Sequence, residues 1–258
     1  MWFSRSLTDE QVEERFAEAR SRLQDGDHAA AERIYRELAK QRRQDPRWMN
    51  GLGFVREHAG DDAAALELYR RAAELGLPQA HYNTGRIAYL ADEHERAVEA
   101  LERAEQLGFR GAENLLGDAH LALGRHADAE RAYVRAAKRG DDNAHANLGL
   151  LYLEMDEPTR AIGPFTRALE LGHVHAEHNL GSAHHRLGEL DEAARWYTRS
   201  WQRHGNLQSM ENLGHVWRTL GRVEDGQLLV HASDMLAEGR PVSERGRDLI
   251  AELDRAEV

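Results

Sequence analysis

The chain has 258 residues and a net charge of −11, with 45 acidic against 34 basic side chains and no cysteine. That balance excludes broad contact with nucleic acid, which needs a positive face. The missing cysteine excludes a disulfide framework and thiolate catalysis and suits a reducing compartment, so the cytoplasm is the expected location.

The first eight residues read as an N-terminal arm. It lacks the apolar core of a secretory signal. Its Trp2 and Phe3 either cover the first helix pair or serve self-association. Thr8 and Gln11 have capping-box spacing, and Leu7 with Val12 has hydrophobic-staple spacing, so a helix is predicted to start at Asp9. Further on, no window approaches the roughly eighteen apolar residues of a membrane span, so no membrane insertion is expected.

From there the chain repeats itself. Gly53, Gly85, Gly117, Gly149, Gly181 and Gly214 fall 32 or 33 residues apart, each inside the same pattern, with Ala19 at the matching place of a degenerate first copy. A period of this size is the mark of stacked repeats. Five residues before each of the last five of these anchor glycines stands Ala80, Ala112, Ala144, Ala176 or Ser209. Sixteen residues after come Tyr69, Leu101, Tyr133, Phe165, Tyr197 and Val230. The apolar spacing is helical throughout, so each copy reads as two antiparallel helices. Seven residues after the anchor, Gly60, Asp92, Gly124, Asp156, Gly188 and Gly221 mark a tight turn, where Asp tolerates a left-handed backbone better than most residues. Gly76, Gly108, Gly140, Gly172 and Gly205 are expected to close the second helices.

The anchor glycines themselves lie in mid-helix, where each costs about 1 kcal/mol against Ala. Six in register therefore require a close approach by a neighbouring helix. Pro164, early in a second helix, is expected to bend it. The seven copies span about 9–45, 46–77, 78–109, 110–141, 142–173, 174–206 and 207–238, which leaves no room for a second domain. A capping helix is predicted over 243–257, with Leu249, Ile250 and Leu253 as its apolar stripe.

Stretches such as Asn147-Leu-Gly149, Asn179-Leu-Gly181 and Gly188-Glu-Leu-Asp-Glu-Ala193 resemble the tetratricopeptide repeat. Links such as Ala72-Ala-Glu-Leu-Gly76-Leu-Pro-Gln-Ala80 look like the related SEL-like repeat. The resemblance implies an all-α, right-handed superhelical solenoid with first helices lining a concave groove. It also implies a protein or peptide partner rather than catalysis or a cofactor.

On a first helix the residues at −6, −3, +1 and +4 from the anchor share one face, and the resemblance puts that face in the groove. The groove residues so expected are Phe16 and Arg20; Arg47, Asn50 and Phe54; Gln79, Tyr82, Arg86 and Tyr89; Asn114, Asp118 and Leu121; Leu150 and Leu153; His178 and His185; and Arg218. Tyr82, Tyr89 and Phe54 either face the groove or pack between adjacent first helices. The family's carboxylate clamp needs Lys at −3 and −6 and Arg at −2, and no copy has them.

The run from His173 to His185 is dense. His175, His178 and His185 form a possible transition-metal or Zn²⁺ set, but the reading is that no metal is bound and that these groups at most titrate with a partner. His120 and His184, three after the anchor, occupy a packed position. The function expected is a non-enzymatic adaptor that binds a peptide or helix in its groove. The alternatives are a peptide-responsive regulator acting through another protein and, more remotely, a metal-dependent hydrolase on the histidine run.

Overall fold

A glycine in the middle of a helix is explained by what it lets in. In the computed structural model of the chain, which describes residues 7–256, the residue sixteen further on fills the space beside Gly53, Gly85, Gly149 and Gly181. A Cβ on Gly53 would stand 2.6 Å from the Tyr69 ring, one on Gly149 2.4 Å from Phe165, and one on Gly181 2.7 Å from Tyr197. Gly85 meets Leu101 in the same way. In the last copy the approach is backbone to backbone, with the Gly226 carbonyl 2.7 Å from a Cβ on Gly214. The rings so admitted are fully buried.

The described residues form fifteen α-helices and no strand. Contacts divide them into two compact units, 1–132 and 133–258. The first holds α1 (Asp9–Gln24), α2 (His28–Gln41), α3 (Pro46–His58), α4 (Asp62–Glu74), α5 (Pro78–Leu90), α6 (His94–Gln106), α7 (Ala112–Ala122) and the start of α8 (His126–Lys138). The second holds the rest of α8, then α9 (Asn143–Glu154), α10 (Pro158–Glu170), α11 (Ala176–Arg186), α12 (Leu190–His204), α13 (Leu207–Thr219), α14 (Val223–Ala237) and α15 (Glu244–Arg255). Each helix from α1 to α6 packs on the next in the first unit, as does each from α9 to α14 in the second. First helices also meet the following first helix, α5 with α7 and α11 with both α9 and α13. That is the contact pattern of hairpins stacked in order, in which a repeat relies on its neighbours for burial.

Local chemistry sets the boundaries. The Thr8 hydroxyl accepts the Gln11 N–H while the Gln11 side chain accepts the Thr8 N–H, which completes the capping box, and Leu7 packs on the first core cluster. Pro46, Pro78 and Pro158 each open a helix, where a missing N–H is harmless. After α4 the Leu77 N–H reaches the Ala72 carbonyl and the Gly76 N–H that of Ala73, a Schellman ending with Gly76 at φ 82°. In the inter-helix turns, where other copies have Gly, Asp92 and Asp156 adopt φ of 58° and 57°. Pro164 lies inside α10, which continues through it to Glu170.

The capping helix runs Glu244–Arg255, with the Ser243 hydroxyl accepting the Gly246 N–H. Its Leu249 and Leu253 are buried with Met210, Leu213 and Trp217, while Ile250 is half-buried. The Trp201 indole donates to Asp254 at 2.8 Å, and the Gln202 amide donates to the Leu253 and Ala256 carbonyls. Trp2 and Phe3 lie outside the described residues.

Candidate functional site

In the first unit, six of the expected groove residues line one cleft of about 530 Å³. Phe16 and Arg20 come from α1; Arg47, Asn50 and Phe54 from α3; and Gln79 from the first turn of α5. Leu23, Gln24, Tyr35, Gly51, Leu77 and Asn83 complete the walls. Gly51 matters here because a Cβ there would fall 2.3 Å from the Tyr35 ring, so its absence brings that ring to the cleft wall.

The cleft is ordered by its own polar groups. The Arg47 guanidinium lies 4.1 Å over the Phe16 ring and donates to Glu13 and Asp45 at 2.7 Å each, tying α1 to α3. The hydrogen bond to Asp45, then that to Glu13, hold Arg47 charged well beyond its ordinary range. The Asn83 side-chain amide donates to the Asn50 side-chain oxygen Oδ1 at 2.9 Å, fixing the register of α5 against α3. Phe54 is half-buried, with its ring 4.0 Å from that of His58. Gln79 and Arg20 are exposed.

Phe16 corrects the sequence reading. At 1% exposure it is a core side chain beneath Arg47 rather than a contact surface. Leu153 is corrected likewise: it is 7% exposed, and Arg186 on α11 donates to its carbonyl, so the end of α9 is covered by the next first helix.

The other expected residues lie elsewhere. Tyr82 is half-buried and stacks on Phe109 at 4.8 Å, and Tyr89 sits 5.5 Å from the His94 ring. Arg86 is bound to Glu57 at 2.5 Å, and the same carboxylate accepts the Tyr69 hydroxyl at 3.0 Å. Asn114, Asp118 and Leu121 are half-buried on α7. In the second unit Leu150, His185 and Arg218 are exposed.

His178 is part of the packing. Its Nδ1 lies 2.8 Å from the Ser209 hydroxyl, which is itself 2.8 Å from that of Ser200. Burial, then the charge of His175, lower its pKa. His120 is buried and its pKa is lowered, first by burial. Among the described residues no group of three or more His, Asp or Glu side chains is placed to hold a metal. Leu23 and Leu77 wall the cleft without having been among the expected groove residues. Leu77 is in a link, outside the first-helix faces, whereas Leu23 stands at +4 from Ala19 in the degenerate first copy.

Comparison with curated proteins gave no match. Among solved structures, MamA is 26% identical with a TM-score of 0.52 over 59% of this chain and 92% of that one. YrrB, described as a tetratricopeptide-repeat protein with an unusual peptide-binding site, is 17% identical with a TM-score of 0.59 over 68% and 94%. The C-terminal part of a repeat protein from Cytophaga hutchinsonii is 12% identical with a TM-score of 0.70 over 91% and 99%. The family model for the tetratricopeptide repeat matches residues 16–77, 65–108, 114–172 and 147–204, more than half of the chain. With hairpins of the same period packed in order in each unit, the chain belongs to the tetratricopeptide-repeat family.

Proposed function

We propose that the protein is a non-enzymatic scaffold that holds an extended peptide or short helix of a partner protein in the cleft between α1, α3 and α5. One observation carries the reading: a single concavity brings together an apolar wall of Phe54, Leu23 and Leu77 and the side-chain amides of Asn50, Gln79 and Asn83. Apolar anchors supply affinity to a bound segment, while side-chain amides can pair with its main chain. Arg20 at the rim adds a charge suited to an acidic residue on that segment. The peptide-binding site ascribed to YrrB, a protein of similar fold, supports the same use. Among the described residues no helix is long and apolar enough to cross a membrane.

The test is affinity capture from the native cell with the wild-type chain and with Phe54→Ala/Gln79→Ala, each first shown to keep its helical circular dichroism. Both side chains meet the cleft from outside the core, so the expected outcome is at least tenfold lower recovery of the partner, with folding intact. Equal recovery by both proteins refutes the cleft as the binding surface.

A further inference from the structure

A second cavity, of about 630 Å³, opens on the opposite side of α5, between α4 and α6. It is walled by Arg70 of α4, His81 and Thr84 of α5, and Arg103 of α6, with Glu99 and Glu102 also on α6. Its meaning comes from comparing one pair of positions across the repeats, four before and eighteen after the anchor. In the sixth copy these are Glu177 and Arg199. The Glu177 carboxylate has 0% exposure and lies 2.8 Å from Arg199, 3.0 Å from Arg203 and 3.5 Å from His204. These are close ionic contacts without well-aligned hydrogen bonds. In the first copy the same two positions hold Arg15 and Glu37, paired at 3.2 Å with the polarity reversed. In the fourth copy the first position is Glu113, again buried, accepting the Gly111 N–H at 3.0 Å.

The other copies lack the carboxylate, with Met49, His145 and Met210 at that position in the second, fifth and seventh and His81 in the third. The third is the copy that holds the cavity. Arg103 is present, but the position of the buried carboxylate is taken by His81, and the cavity lies where those two side chains face each other. Beside them the Thr84 hydroxyl is buried without a hydrogen-bond partner, which leaves a donor unmet there. Burial, then the Arg103 charge, lowers the pKa of His81, and a hydrogen bond to the Ala73 carbonyl acts the other way. Arg103 donates only to Gln106 of its own helix, at 3.2 Å, and Arg96 at the rim is already bound to Glu93.

We propose that this cavity is a binding site for a single carboxylate, supplied from outside the chain, which takes the place that Glu177 fills in the sixth copy. Arg103 and the Thr84 hydroxyl are its donors. Glu99 and Glu102 at the rim disfavour multiply charged anions and favour a carboxylate that stands next to a basic group, as an acidic side chain does in a mixed-charge segment of a partner protein. The site is separate from the cleft between α1, α3 and α5. On α5 it uses residues 81 and 84, whereas that cleft uses 79 and 83, so each can fail without the other.

The experiment is a ¹⁵N NMR titration of the full chain, following the Thr84 amide and the Arg103 Nε–H. The probes are the blocked dipeptide Ac-Lys-Glu-NH₂, its Ac-Lys-Gln-NH₂ counterpart, sodium acetate and inorganic phosphate. Saturable shifts are expected with the glutamate dipeptide and not with the glutamine one or with phosphate. Arg103→Gln, an exposed position, should weaken binding about tenfold or more, the usual effect of losing a charged hydrogen bond. His81→Glu should abolish it by supplying the carboxylate from within. Tighter binding of the dipeptide than of acetate identifies a partner side chain as the natural occupant; equal binding identifies a free small carboxylate. An absent or non-saturable shift, equal binding of the glutamine dipeptide, or undiminished binding by either variant overturns the proposal.

Discussion

The residue that most constrains this protein has no side chain. At Gly149 an added methyl would overlap the Phe165 ring, which is fully buried. Gly149→Ala gains about 1 kcal/mol of helix propensity and incurs an overpacking penalty of about 1–3 kcal/mol. The net outcome expected is a destabilised protein, measured as a lower denaturation midpoint at unchanged m-value. A rise in midpoint would show that the ring was not what excluded the methyl.

The histidines act in the opposite sense to stabilising charges. His178 has its pKa lowered in the folded chain by burial and by His175, whereas the unfolded chain takes up the proton at about pH 6.5. Its contribution is complete above that pH and is lost as pH falls below it, because the unfolded state then binds more protons. His81 and His120 shift the same way. Calorimetry should therefore show the melting temperature falling between pH 7.5 and 5.5. His178→Gln should give a shallower fall, and parallel curves would remove His178 from the account.

At the scale of the helix, α15 closes an otherwise open face. Leu253 is 3% exposed on the same cluster as Met210 and Trp217. Leu253→Ala should cost about 2–4 kcal/mol, the range for emptying a packed leucine site. The helix was legible in advance because Ser243 and the Leu249, Ile250 and Leu253 spacing stand in local sequence, as do the turn at Asp92 and the capping box at Thr8. Site residues were less legible. The spacing that put Phe16 and Leu153 on the groove face is correct as geometry on one helix, but burial depends on what lies across from it. For Phe16 that is Arg47, thirty-one residues on, and for Leu153 it is α11. The pairing of Glu177 with Arg199 was present in the sequence as opposite charges at fixed offsets. It is visible only when columns of the repeat are compared in pairs, because each column alone reads as surface charge.

For the molecule as a whole, the consequence of neighbour-only packing is that damage stays close to where it is made. Contacts join consecutive helices, neighbouring first helices and, at the capping helix, α12 with α15. In such arrays stability is a sum of repeat and interface contributions. Hydrogen exchange on the Leu253→Ala protein should accordingly lose protection across α12 to α15 while α1 to α6 keep theirs. Uniform loss along the chain would indicate a single cooperative block instead.

The plug beneath an anchor glycine also bears on how the chain comes off the ribosome. A first helix emerges carrying its own weak point, and the side chain that steadies it is still sixteen residues behind in the tunnel. No hairpin can set before its second half is out, so the nascent protein should gain structure in steps of one repeat, in order, from the amino end.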